Sequence, residues 1–173
     1  MAPLVILVTA TVLARLLGYA RVPMLSDWRT AARLGLAVMF AFTGSTHFTE
    51  MKHDYAAMVP PPFTGQLWVI YLTGLLEIAG AVGLLMSPTR RPAGICLLLL
   101  LLALFPANVY AAMQGVQFRS APPTDIALRG LIQAVFLFTV WWSTIAVPGD
   151  FGKPPNPPLE PTAENRGGSA ASR

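Results

Sequence analysis

Cysteine is almost missing from this chain: Cys96 stands alone among 173 residues, so no intrachain disulfide forms and a paired-thiol redox chemistry is excluded. Charge is scarce too. Asp, Glu, Lys and Arg make up 12% of the residues, about half the share of a soluble domain. There is no phosphate-binding loop, no nucleophile elbow and no haem, flavin or iron–sulfur motif. The basic residues lack the interleaved aromatics of a nucleic-acid surface, so the net charge of +4 does not point to nucleic acid. What remains is 54% hydrophobic, with a mean hydropathy of +0.57. That composition belongs to an integral membrane protein.

The apolar residues fall into five runs. Residues 3–19 form the first, interrupted by Arg15 where the core of a signal peptide would stay apolar and not preceded by a basic region. It is read as a retained helix. A polar connection with Arg21, Asp27, Arg29 and Arg33 leads to a second span at 34–48, where Thr43 and His47 share a helical face. Residues 50–59 suit a short interfacial helix, ended by Pro60, Pro61 and Pro62. The third span, 67–86, holds Glu77 near its middle and the small pair Ala79 and Gly83, which permits close helix approach. After the basic turn of Arg90 and Arg91 come spans at 93–113, with Pro106 and Asn108, and 125–145, with Arg129 and Gln133. Cys96 is read as packing. Beyond 147 the chain is rich in proline, glycine, serine and charge, the composition of a disordered tail.

An acidic side chain at the centre of a span costs roughly 2.5–3.5 kcal/mol on insertion scales, so Glu77 is either sheltered by a hydrogen bond from a neighbouring helix or used. Loop charges orient the chain. With five spans, one side collects Arg15, Arg21, Arg29, Arg33, Arg90, Arg91 and the basic residues of the tail, against Lys52, Arg119 and Arg129 on the other. The positive-inside rule then puts the N-terminus outside and the tail in the cytoplasm. Counting inward at about 1.5 Å per residue from the outer ends, His47 lies at the rim, Arg129, Asn108 and Gln133 lie deeper, and Glu77 lies deepest. The inner half has almost no polar residue by the same count. The expectation is an outward-opening polar pocket with Glu77 at its floor.

The order of GSTHF, VPPPF, YLTGLLEIAGAVGLL, the TRR turn, FPANVYAAM and LRGLIQ with Trp141 resembles the DoxX-like family of small bacterial membrane proteins over roughly residues 29–142. The resemblance implies an all-α, polytopic protein of the bacterial inner membrane. For the matched part it implies a four-helix membrane domain (29–146); an additional N-terminal transmembrane helix (1–22) and a disordered cytoplasmic tail (148–173) lie outside the resemblance and are expected from hydropathy, composition and loop charges. The positions matching the family pattern are His47, Glu77, Pro106, Asn108, Arg129 and Gln133. Of these His47, Glu77, Asn108, Arg129 and Gln133 are taken as ligand-binding.

The favoured function is a non-catalytic or accessory subunit of a membrane redox or stress-response system. The alternative is a small-ligand or quinone-binding protein that joins electron transfer through an oxidoreductase partner, its histidine and carboxyl donating hydrogen bonds to carbonyl oxygens. Catalysis is unassigned and no cofactor is named. The Glu50-x-x-His53 spacing, with His47 and Asp54 nearby, suits a di-iron ligand pair, but its matching second pair is absent from the sequence.

Overall fold

The computed structural model describes residues 2–20, 22–117 and 125–146. Arg21, Arg119 and the expected tail at 148–173 lie outside these. Among the described residues the chain is all-helical: α1 (Ala2–Ala20), a 3-10 turn (Pro23–Ser26), α2 (Trp28–Thr46), the short α3 (Lys52–Met58), α4 (Leu67–Leu85), α5 (Arg90–Met113) and α6 (Ile126–Thr144). Four of them, α1, α4, α5 and α6, are long and apolar enough to cross a membrane. The interfacial helix expected at 50–59 is α3.

The second expected span behaves differently from the others. Asp27 caps α2, its Oδ2 accepting from the Thr30 N–H at 3.0 Å and the Thr30 hydroxyl at 3.0 Å, so the helix starts well before residue 34. It thereby takes in Arg29 and Arg33, which the sequence placed in the connection. Arg33 is buried; it donates to the Ser143 carbonyl at 3.0 Å and to Thr30 Oγ1 at 2.6 Å. Arg29 lies over the Trp142 ring at 5.6 Å. These polar residues lower the hydropathy of α2, which is not among the four apolar helices. They are tolerated because α2 is enclosed: it packs against α1, α4 and α6, burying Ala31, Leu36, Met39 and Phe40.

Glycines set the closest crossings. A Cβ on Gly44 would stand 2.8 Å from the Gly74 carbonyl, and one on Gly74 would stand 2.6 Å from the His47 Cβ. The absence of side chains at both positions brings α2 and α4 into backbone contact. Farther along α4, Gly80 meets Leu97 and Gly83 meets Ala93 of α5. Ala79, paired with Gly83 in the sequence reading, is exposed, because the packed face of α4 runs through Ile70, Thr73, Gly74, Glu77 and Ala81.

Two other expectations change. Cys96 is exposed, since α5 buries Gly94, Leu97 and Leu101 on a different face. The end of the molecule expected to lack polar groups buries Arg15, Arg33, Ser143 and Thr144. Arg15 donates to the Ser26 carbonyl and, at 2.6 Å, to the Tyr19 hydroxyl. Its guanidinium also lies 4.4 Å from the Trp28 ring centre. Cation–π contact and carbonyl acceptors let these arginines stay inside the fold.

Candidate functional site

Thr43, Gly44 and His47 recur at helical spacing on the last turn and C-cap of α2, and Ile70, Thr73, Gly74 and Glu77 do so along α4 from its start to its middle. The Gly44–Gly74 crossing presses these two faces together. Glu77 Oε2 accepts from the Thr43 hydroxyl at 2.5 Å, which shelters the carboxyl. The Thr43 oxygen also lies 3.0 Å from the Met39 carbonyl. A hydroxyl both donates and accepts, so it serves either state of the carboxyl: it donates to the carboxylate, or accepts from the acid while donating to Met39.

His47 is fixed by an atom that only accepts. Its Nδ1 lies 2.9 Å from the Ile70 carbonyl and 3.1 Å from the Thr73 hydroxyl. A carbonyl has no proton to give, so Nδ1 carries the hydrogen and Nε2 faces Glu77. The Nε2–Oε1 separation is 3.8 Å, beyond hydrogen-bond range. The ring of Tyr55, from α3, leans on the imidazole with centroids 4.3 Å apart. The Tyr55 hydroxyl is 2.8 Å from Thr46 Oγ1, and Thr46 itself donates to the Thr43 carbonyl at 2.6 Å.

Helices α5 and α6 close the other side. Pro106 has no N–H for the carbonyl four residues earlier, Leu102, yet α5 continues through it. One residue before that carbonyl, Gln133 Nε2 of α6 donates to the Leu101 oxygen at 2.6 Å. Asn108 Nδ2 reaches the Leu104 carbonyl at 3.4 Å. A residue from the next helix thus bonds beside the carbonyl that Pro106 leaves without its helical donor.

Between these groups lies a cavity of about 220 Å³. Thr43, His47, Thr73, Glu77, Asn108 and Gln133 supply its polar wall, and Met39, Phe40, Ile70, Leu101, Leu104 and Phe136 much of its apolar wall. Tyr55, Met58 and Val59 line it from the α3 side, and Pro3 from the start of α1. His47, Glu77 and Gln133 are 5%, 6% and 7% exposed, so their polar atoms meet the cavity rather than bulk solvent. Four of the five residues proposed from the sequence therefore share one cavity. Arg129 does not line it, because it sits one helical turn nearer the start of α6 than Gln133. Asp125 caps α6, its carboxylate accepting from the Ala127 N–H at 2.9 Å.

Sequence reading had placed Thr43 on the His47 face and Tyr55 on an interfacial helix, but it missed Thr73 and the part all three play in the cavity. The signal for Thr73 was present, since it falls four residues before Glu77 on the same face. Among the described residues no three His, Cys, Asp or Glu side chains gather as a metal would need, and His53 of the Glu50-x-x-His53 pair is exposed.

A family described as "Domain of unknown function (DUF8561)" matches residues 36–144, more than half of the chain, and the chain belongs to that family. No curated protein and no solved structure matches it.

Proposed function

We propose that this family member is a polytopic membrane protein that holds a small, largely apolar molecule in the cavity beside Glu77, as a non-catalytic accessory component of a membrane redox or stress-response system. In this reading α2, α4, α5 and α6 form a four-helix transmembrane bundle with α1 added to it. The N-terminus is outside and the residues beyond 146 are cytoplasmic. The order of motifs that resembles the DoxX-like family supports the bacterial inner membrane as its location. A redox role would run through an oxidoreductase partner, since the sequence carries no motif for an electron-carrying group.

The observation that carries the proposal is the meeting of polar groups from α2, α4, α5 and α6 on one mostly apolar cavity. Binding sites for small molecules have this character: apolar walls with few convergent polar groups. These groups also fasten helices, through Thr43–Glu77, His47–Thr73 and Gln133–Leu101, but the imidazole Nε2 and the carboxyl Oε1 that face the cavity stand 3.8 Å apart with no direct hydrogen bond. Purification from native membranes in mild detergent, followed by organic extraction and mass spectrometry, tests this reading. A small apolar molecule should co-purify with the protein and be depleted in Glu77→Gln. Recovery of bulk lipid alone, or equal recovery from both proteins, contradicts it.

A further inference from the structure

We infer that the cavity takes a molecule whose polar head donates a hydrogen bond, specifically a phenolic hydroxyl on a single apolar ring; the inference rests on the ligand-binding reading above. Backbone carbonyls occupy donors on three side chains of the wall. The Ile70 oxygen holds His47 Nδ1–H at 2.9 Å, the Leu101 oxygen holds Gln133 Nε2 at 2.6 Å and the Leu104 oxygen holds Asn108 Nδ2 at 3.4 Å. Because a carbonyl only accepts, these contacts also fix which end of each amide is nitrogen. Left without a hydrogen-bond partner among the described residues are His47 Nε2, an acceptor in the neutral imidazole, Gln133 Oε1 and Asn108 Oδ1, together with the second N–H of each amide.

Glu77 adds a fourth acceptor. The 2.5 Å contact between Oε2 and Thr43 places a proton between those two oxygens. In the carboxylate, or in an acid protonated on Oε2, Oε1 is an acceptor. With His47 neutral and Glu77 in one of those forms, Nε2 and Oε1 face each other across 3.8 Å, two acceptors that a donor head would relieve. This reverses the chemistry expected from the sequence, in which histidine and carboxyl donated to the carbonyl oxygens of a quinone.

Size and wall select the body of the ligand. An apolar cavity of about 150 Å³ takes benzene, so 220 Å³ suits one ring with a short substituent. Phe40, Tyr55 and Phe136 line it, and aromatic walls favour a ring by edge-to-face and offset contact. A free phenol and the hydroquinone head of a lipid share this chemistry.

The test is equilibrium dialysis of the full chain in detergent against 4-ethylphenol, its O-methyl ether and a short-chain hydroquinone, compared at equal free concentration. The phenol should bind about tenfold tighter than the ether, the effect of one buried hydrogen bond. Glu77→Gln, which puts an amide N–H₂ among the acceptors, should shrink that ratio to about threefold or less. Asn108→Leu, which removes one acceptor at a half-buried position, should lower it without touching the Glu77–Thr43 pair. Ala107→Phe, which fills the cavity, should abolish specific binding of every probe. Tighter binding of the hydroquinone than of 4-ethylphenol would identify a lipid head as the source, and the reverse a free phenol. An ether that binds as tightly as the phenol, with both lost in Ala107→Phe, overturns the donor-head inference and leaves the cavity as a binding site. Binding that Ala107→Phe leaves unchanged, or no binding at all, overturns the ligand reading and this inference with it.

Discussion

Thr43 is the residue on which the buried carboxyl most directly depends. Its hydroxyl is the hydrogen-bond partner of Glu77 Oε2, and an unsatisfied buried polar group costs about 1–3 kcal/mol, more when charged. Thr43→Val should therefore destabilise the protein by about 1–3 kcal/mol in denaturant unfolding from detergent, while Thr43→Ser keeps the donor and should lose less. Gln133→Leu is expected to cost less, about 0.6 kcal/mol and at most about 1.7, as measured for interhelical polar contacts in membranes. The difference between the two follows from what each leaves behind: a lone carboxyl in the first case, a carbonyl already inside a helix in the second. At this scale much of the site was legible. His47, Glu77, Asn108 and Gln133 stood out because polar groups in apolar runs are rare. Their hydrogen-bond roles were not legible, since which atoms remain available depends on the carbonyls of Ile70, Leu101 and Leu104. Those groups are present in every residue and carry no sequence signal.

At the scale of elements, the crossing of α2 and α4 positions everything else. Gly74→Ala would bring a methyl group within 2.6 Å of the His47 Cβ and 2.9 Å of the Gly44 carbonyl. Neither is the free end of a flexible side chain, so the helices must separate, at about 1–3 kcal/mol and with loss of the cavity. Gly130→Ala is the control: nothing lies within 4 Å of its added Cβ, and the gain in helix propensity should leave stability unchanged or slightly higher. Thermal unfolding of the two variants side by side checks both outcomes. The start of α2 carries a pH-dependent element. Burial pushes the Asp27 carboxyl upward, but hydrogen bonds from Thr30 and the Arg29 N–H, with the charge of Arg33, hold it below its ordinary value. The cap then stabilises the folded state fully above the ordinary aspartate range and is lost as pH falls through the lowered value. Asp27→Ala should cost about 1 kcal/mol at neutral pH, with the difference from the parent vanishing in acid. The helices themselves were readable from hydropathy, but the start of α2 was displaced because Arg29 and Arg33 read as a polar connection. Only the Ser143 carbonyl and the Trp142 ring, far away in sequence, make those arginines acceptable within a helix.

Across the whole molecule, polar burial divides into two ends with different logic. One end uses arginines held by carbonyls and aromatic rings: Arg15 on Ser26 and Trp28, Arg33 on Ser143, Arg29 on Trp142. The other end gathers neutral and acidic groups around the cavity. Such an asymmetry fits the proposed orientation, with the arginine end toward the cytoplasm. It is checked with single cysteines at Ser87 and Thr64, exposed residues beyond the two ends of α4, in a Cys96→Ala background. A membrane-impermeant maleimide added outside should label Thr64→Cys and not Ser87→Cys; the opposite pattern would invert the topology.

The central claim, that the cavity beside Glu77 receives an apolar molecule, is tested most directly by photolabelling the purified protein with a diazirine-bearing phenol and mapping the adducts by mass spectrometry. The account predicts adducts on Thr43, Tyr55 and Phe136, competed by excess 4-ethylphenol and lost in Ala107→Phe. Adducts spread over outward-facing residues such as Leu99 and Phe138, unaffected by competitor or by the filled cavity, would contradict it.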